Sequence, residues 1–187
     1  GDVPFVKGET MQAMLDRLHA QDAPKVVVLG FEPDDALAYG RVIADDAGRI
    51  AKMVEFKDAS EDERTCRLCN SGLMAARAAD MFALLRRVGN DNAQGEYYLP
   101  DIVNIAIADG DTCAAVTASD PGEVAGINSR AEPARAEAQW QDLKREEAMA
   151  GGATLRAPET VFFSYDTEIG RDVTIDPNVV FGPGVRI

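Results

Sequence analysis

The sequence predicts an α/β domain joined by a long charged helix to the start of a hexapeptide β-helix. Three observations carry this. Up to about residue 128, short β-branched apolar runs alternate with stretches of helical periodicity, the order expected of an α/β domain with a largely parallel sheet. A charged segment then runs to a stop at Gly151-Gly152. From Ile169 the spacing changes: Ile169, Ile175, Phe181 and Ile187 recur every six residues, as do Val173, Val179 and Val185, with Gly, Asp, Asn and Pro between them. One aliphatic slot in every six is the signature of a hexapeptide solenoid. Three hexads make only about one coil, which needs further coils stacked on it to bury its core. The expected divisions are 1–128, 129–152 and 153–187.

In chain order, Gly1-Asp2-Val3-Pro4 reads as a strand end turning into a loop, because Pro4 cannot donate to a ladder. Residues 9–20 form a helix with Met11, Met14, Leu15 and Leu18 as its core face. Residues 25–29 are a continuous apolar run, as in a buried strand. Residues 30–38 are an acidic loop. Asp45-Asp46-Ala47-Gly48 turns between two strands, 41–44 and 49–55, making a hairpin. Ser60 and Glu63 have capping-box spacing. Residues 68–74 are a strand interrupted by Asn70, and 78–88 a helix with Met81, Leu84, Leu85 and Val88 on one face. The polar stretch 90–101 leads into a helix reaching about Ala108, followed by a strand over 112–117. Ser129 and Glu132 open the charged helix with a second capping-box spacing, and Pro133 sits in its first turn, where its missing N–H costs least.

Composition excludes several functions. The net charge of −13 leaves no basic footprint for nucleic acid or an anionic membrane, while a small phosphorylated ligand can still be held by a few local charges, backbone amides or a metal. No stretch approaches membrane-spanning length and no signal-peptide pattern occurs, so a soluble cytoplasmic protein is expected. His19 is the only histidine and lies in a helical pattern, and Cys66-Arg67-Leu68-Cys69 is a lone CxxC. A zinc site and a Ser-His-Asp or Cys-His mechanism are therefore not expected, and the cysteines read as reduced. The chain begins without Met and stops inside a regular pattern, so both ends read as cut.

Several residues could carry chemistry. Asp2 follows a predicted strand, where open α/β sheets bind ligands, and a carboxylate there can hold Mg²⁺. An Asp at a turn is more often just a turn residue. Asn128 lies between Gly126 and the expected cap at Ser129, where its amide could be a cap or a turn device. Glu55 ends a strand beside Lys57 and Asp58, which also fits a surface ion-pair cluster. Asn70 within an apolar strand must find partners. Gly40 allows close backbone approach. Residues 90–101, with four amides or acids in the first part and adjacent Tyr97 and Tyr98, suit the wall of a cleft for a hydroxylated ligand, or simply a helix start with Pro100 and Asp101 in its first turn.

Taken together, Gly1-Asp2-Val3-Pro4, Tyr39-Gly40-Arg41, Val54-Glu55-Phe56-Lys57-Asp58, Asn70-Ser71-Gly72, residues 90–101 and Gly126-Ile127-Asn128-Ser129-Arg130 occur in the order found in one family. The sequence resembles the bacterial bifunctional N-acetylglucosamine-1-phosphate uridylyltransferase / glucosamine-1-phosphate N-acetyltransferase over essentially its whole length. The resemblance implies a Rossmann-like nucleotidyltransferase domain, N-terminally incomplete, then a linker helix and the first coil of a left-handed β-helix. It implies Mg²⁺-dependent transfer of UMP from UTP to N-acetylglucosamine 1-phosphate, giving UDP-N-acetylglucosamine and pyrophosphate for peptidoglycan and lipopolysaccharide precursors. Asp2 and Asn128 match the family's catalytic Mg²⁺ ligands. Gly40, Glu55 and Asn70 match residues holding the sugar, and Glu96 and Tyr98 are those of the 90–101 stretch expected to face it. The intact parent would also acetylate glucosamine 1-phosphate from acetyl-CoA and assemble as a trimer.

The departures are as informative. The family's Gly-rich nucleotide loop with its Gly-Thr-Arg-Met motif does not occur here, nor do the coils carrying the coenzyme A site. The chain by itself is therefore expected to show no uridylyl transfer. Ala38 before Tyr39, Pro133 and the Cys66/Cys69 pair are smaller differences. The alternatives are another sugar-1-phosphate nucleotidyltransferase, or a non-catalytic module in which the solenoid trimerises and the α/β part only packs.

Overall fold

The structure, a computed structural model, describes residues 3–36, 39–124, 126 and 131–187. It divides into two compact units, 1–126 and 127–187. The first unit is organised on β1 (Val26–Phe31), all six of whose residues are buried. Alternate side chains of a strand point to opposite faces. Val26 and Val28 accordingly join a core with Leu84 of α3 (Ala78–Leu85) and with Ile102, Val103 and Ala106 of α4 (Asp101–Ala108). Val27, Leu29 and Phe31 join the opposite core, with Met14 and Leu18 of α1 (Gly8–Leu18). A strand clothed on both faces must be apolar throughout, which is why this run shows no alternation.

The other strands are β2 (Arg41–Ala44), β3 (Ile50–Val54), β4 (Cys69–Ala76) and β5 (Cys113–Thr117), in the sheet order β3-β2-β4-β1-β5. The expectation of a largely parallel sheet is corrected here. Only β1 and β5 run parallel, while β1–β4, β2–β3 and β2–β4 are antiparallel. The reason lies in the connections. A parallel crossover needs a dozen or more residues and a packed helix. The hairpin β2–β3 turns in a few residues, and α2 (Glu61–Arg64), the helix between β3 and β4, is four residues long. A second correction concerns α1: Met11 and Leu15 are 48% and 43% exposed, so only Met14 and Leu18 of the four expected residues are core. The Ser60–Glu63 capping box forms with both of its hydrogen bonds.

The free edges of this sheet are closed by local devices. Asp45 holds the hairpin turn by accepting the N–H groups of Ala47 and Arg49. The tip then reaches β5, where Ala115 N–H donates to Gly48 O at 2.7 Å and Arg49 bridges Ala114 in antiparallel sense. Gly48 has φ +75°, and a Cβ there would lie 2.9 Å from the Ala115 carbonyl oxygen. At the other side, Asn104 of α4 meets the outer edge of β3 in place of another strand. Its Oδ1 accepts Met53 N–H at 2.9 Å and its Nδ2 donates to Met53 O at 2.8 Å. Unpaired strand edges invite intermolecular pairing, and these contacts remove that option.

The second unit contains α5 (Ala131–Ala150), β6 (Thr154–Leu155) and β7 (Thr174–Ile175). The expected cap at Ser129 lies outside the described residues. Beyond the helix the chain forms a solenoid coil. β6 and β7 pair in parallel, and parallel bridges join Phe162 to Val180 and Glu168 to Arg186, each eighteen residues apart, or three hexads. Left-handed backbone recurs every six residues, at Asp172 (φ 62°), Asn178 (φ 62°) and Gly184 (φ 77°), residue types that tolerate it best. Thr154 and Thr174 are twenty residues apart, and the two extra residues fall where Pro158–Thr160 makes a 3₁₀ turn. Leu155, Val161, Phe163 and Ile175 fill the interior, so the coil begins before the hexad pattern is obvious at Ile169.

Helix α5 attaches to this coil through polar side chains. Buried Gln141 accepts Phe163 N–H at 2.8 Å and donates to Phe163 O at 2.9 Å, and Arg145 Nε donates to Val161 O at 2.9 Å. The same chemistry as at Asn104, an amide standing in for a strand, thus secures both units. Replacing Asn104 by Ala leaves Met53, which is 2% exposed, with its N–H and C=O unpaired. Asn104→Ala is expected to destabilise the first unit by about 1–3 kcal/mol. It should also accelerate hydrogen exchange at the Met53 amide; an unchanged melting temperature and exchange rate would refute this role.

Candidate active site

The C-terminal ends of β1, β3 and β5 and the N-terminal ends of β2 and β4 lie together. In register terms Gly30 pairs with Asn70 on one side and with Thr117 on the other. This is the end of an α/β sheet at which ligands ordinarily bind. Three residues proposed from sequence meet here. Gly40, just before β2, is buried, and its carbonyl accepts the Asn70 N–H at 2.9 Å. A Cβ on Gly40 would stand 3.1 Å from Glu55 Oε1 and 3.2 Å from Oε2, so the Glu55 carboxylate lies over the face of Gly40 that a side chain would occupy. Sequence suggested that Gly40 admits a ligand; in the structure the space beside it is taken by Glu55.

Glu55 follows β3 and is partly buried, and its carboxylate makes no hydrogen bond or ion pair among the described residues. The suggested surface ion-pair cluster does not form, because Lys57 Nζ turns instead to Gln94 Oε1 at 2.5 Å. Burial raises the pKa of Glu55 above the ordinary carboxylate value, and the charges of Asp101 and Asp58 raise it further. Asp101 is pushed up by the same two causes, burial first and then Asp58. Asn70 accepts the Gly72 N–H on its Oδ1 at 3.0 Å, with Gly72 at φ +85°, while its Nδ2 makes no hydrogen bond among the described residues. A partly buried carboxylate acceptor and an amide donor without a partner among the described residues therefore share one end of the sheet.

Residues 90–101 close this end. Asn92 shapes the loop: its Oδ1 accepts the N–H groups of Gln94 and Glu96, and its Nδ2 donates to Glu96 O at 2.5 Å. The loop docks on the turn after Glu55 through Ala93 N–H to Asp58 Oδ1 at 2.9 Å and through Lys57 to Gln94. Gln94 Nε2 then donates to the Tyr98 hydroxyl at 2.7 Å. Tyr98 is half-buried, whereas the side chain of Glu96 is exposed and Tyr97 is 72% exposed. The helix-start reading of this stretch holds, since Pro100 caps α4 and Ile102 and Val103 are core. Asp2 and Asn128 lie outside the described residues. His19 Nδ1 contacts Leu15 O at 2.8 Å at the end of α1.

Sequence reasoning missed two features. Asp58 and Asp101 surround Glu55 electrostatically, although only the first is near it in the chain. Arg41, quoted only as part of a motif, is 2% exposed and stands behind all three site residues. Among the described residues no group of three His, Cys, Asp or Glu side chains is arranged to hold a metal, and no helix is long and apolar enough to cross a membrane.

No protein-family model matches the chain. Among solved structures, CMP:2-keto-3-deoxy-manno-octonic acid synthetase complexed with CTP aligns with 76% of this chain and 59% of its own, at a TM-score of 0.51 and 14% identity. At that identity the likeness concerns the fold alone, a mixed α/β sheet. Sequence relatives are much nearer. "Bifunctional protein GlmU" of Novosphingobium aromaticivorans is 70% identical over 97% of this chain, and that of Sphingopyxis alaskensis 71% identical over all of it. The protein of the same description from Zymomonas mobilis is 56% identical over the full chain. The chain belongs to the family of bifunctional GlmU proteins, and it spans about 40% of the length of these relatives.

The raised pKa of Glu55 has a stability consequence. The folded state holds the proton more tightly than the unfolded chain, so this favourable contribution is complete below the unfolded pKa and is lost as pH rises through the folded one. Glu55→Gln should therefore melt at the same temperature as wild type in acid and at a higher one at neutral pH. A variant that melts lower than wild type at neutral pH would show that the carboxylate stabilises the fold.

Proposed function

We propose that the whole protein containing this chain is a Mg²⁺-dependent sugar-1-phosphate uridylyltransferase that makes UDP-N-acetylglucosamine, as the family resemblance implies. The observation that carries the sugar-binding part is the convergence at one sheet end of Gly40, Asn70 and the partly buried Glu55 carboxylate, which has no partner among the described residues. In the reaction a phosphate oxygen of N-acetylglucosamine 1-phosphate attacks the α-phosphorus of UTP in line. A new P–O bond forms as the bond to the β-phosphate breaks, and pyrophosphate leaves with that bond's electron pair. Such a transfer depends on positioning and charge neutralisation more than on acid–base chemistry, which suits a chain whose one histidine ends a helix.

The residues of this chain divide the work. Glu55 accepts hydrogen bonds from sugar hydroxyls, and the open Asn70 Nδ2 donates to an acceptor of the same ring. Gly40 leaves room for the carboxylate beside it, while Tyr98 and Glu96 contribute from the docked loop. Asp2 and Asn128 would hold the metal, since a carboxylate with an amide carbonyl is a hard oxygen pair of the kind Mg²⁺ accepts. When bound, the ion neutralises charge on the phosphates. In this reading residues 1–128 belong to the uridylyltransferase domain, 129–152 to a linker helix and 153–187 to the start of a left-handed β-helix. Further coils trimerise and acetylate glucosamine 1-phosphate from acetyl-CoA. The cellular setting is the cytoplasm, and the product supplies peptidoglycan and lipopolysaccharide synthesis.

The whole protein is expected to release pyrophosphate from UTP with N-acetylglucosamine 1-phosphate and Mg²⁺, and no turnover with this pair would sink the assignment. Asp2→Ala should abolish Mg²⁺-dependent turnover in a folded protein. Glu55→Gln should raise KM for the sugar phosphate by about 10- to 100-fold, the value of a hydrogen bond to a charged group.

A further inference from the structure

We propose that Arg41 is the positioning residue of this site, a single buried guanidinium that sets the spacing of Gly40, Glu55 and Asn70. The ligand's identity rests on the functional reading above; the placement itself rests on geometry. Arg41 touches a chain neighbour of each of the three. Its Nη1 donates to the carbonyl of Tyr39, which precedes Gly40. The same nitrogen approaches Sγ of Cys69, which precedes Asn70, at 3.7 Å. The guanidinium carbon lies 5.6 Å from the ring centroid of Phe56, which follows Glu55. In the backbone, too, Arg41 pairs with Val54 of β3 and with Cys69 of β4, so the two arms of the sheet meet at this residue.

Stability alone does not account for an arginine here. It is 2% exposed, has no carboxylate partner among the described residues, and its Nε is buried without a hydrogen bond. An unpaired buried cation is a poor stabiliser, and an apolar side chain of similar volume ordinarily serves as well. Here one nitrogen reaches both a carbonyl and a thiol while the planar guanidinium lies near an aromatic face, a combination that the compact ammonium of a lysine does not reproduce. Arg64 completes the arrangement around the same ring, 4.6 Å from the Phe56 centroid, with its Nε and Nη2 donating to Phe56 O at 3.2 and 3.1 Å. Glu55 is thereby held from its neighbour while its own carboxylate stays uncommitted.

The test uses Arg41→Lys and Arg41→Met in the whole protein, with two readouts. Hydrogen exchange at the Asn70 amide, which donates to Gly40 O, should accelerate by about tenfold or more, while the Ala118 amide, bonded to Gly30 O, exchanges as in wild type. In steady state, KM for N-acetylglucosamine 1-phosphate should rise about tenfold with KM for UTP within about twofold. Unchanged Asn70 exchange, or equal acceleration at Asn70 and Ala118, would overturn the proposal, as would equal rises in both KM values. If either variant fails to fold, Phe56→Leu removes the ring face alone and should move Asn70 exchange and the sugar KM in the same direction by a smaller factor; no movement counts against the proposal. If wild type shows no turnover with these substrates, the functional reading fails and the exchange comparison alone decides Arg41.

Discussion

The two-sided burial of Val26–Phe31 is the constraint on which the first unit depends. Its even and odd residues feed separate cores, so α1 must cover one face while α3 and α4 cover the other. Every other strand is placed by reference to it: β5 beside it in parallel, β4 on the opposite side in antiparallel sense. At its C-terminal end the strand offers Gly30, where a Cβ would come 2.7 Å from Leu68 Cδ1. That close approach admits the start of β4, and with it Asn70. The register that sets Asn70 beside Gly30 thus leaves no room for a side chain at that glycine unless Leu68 shifts.

The second unit meets its packing requirement differently. An early coil of a parallel solenoid has a small interior and needs cover, yet α5 carries little apolar surface to supply it. The helix instead donates and accepts hydrogen bonds from the coil's backbone with Gln141 and Arg145, while Trp140 and Ala148 add apolar contact. Side-chain amides that satisfy both backbone groups of one residue avoid the cost of leaving either orphaned. Asn104 does the same for β3 in the first unit. Polar side chains with fixed backbone partners specify position more sharply than apolar contact does, which suits elements that must present a site or a stacking surface in register.

Much of this was legible in the sequence where local signals are strong. The Asp45–Gly48 turn, the Ser60–Glu63 box, the helix start at Pro100 and the six-residue period each rest on interactions between near neighbours in the chain. The sheet's polarity was not legible, because a strand–helix alternation looks the same whether the helix is a crossover or a single turn inside an antiparallel connection. The exposure of Met11 and Leu15 was also hidden: helical spacing marks an apolar stripe but not how wide a strip the sheet covers. Glu55 and Gly40 were recognised as candidates, yet their contact spans two strands and only the fold brings it about. Arg41 was the deepest omission, since nothing in a sequence distinguishes an exposed arginine from one buried among a carbonyl, a thiol and a ring.

The charge distribution around Glu55 bears on which part of a ligand this end of the sheet can take. Its neighbouring cations are already engaged: Lys57 by Gln94, Arg64 by the Phe56 carbonyl and ring, Arg41 by the Tyr39 carbonyl. After burial, the charges of Asp101 and Asp58 raise the proton affinity of Glu55, and Asp58 that of Asp101, so the Glu55 carboxylate sits among like charges. A phosphate brought here would be repelled, whereas hydroxyl groups find an acceptor that no side chain has claimed. If the ligand is a nucleotide sugar, as proposed above, its anionic half would be held apart from its sugar by cationic or metal-bearing groups. In the proposed reading that separation falls to Asp2 and Asn128, which leaves the Glu55 end of the sheet to the neutral ring of a sugar phosphate.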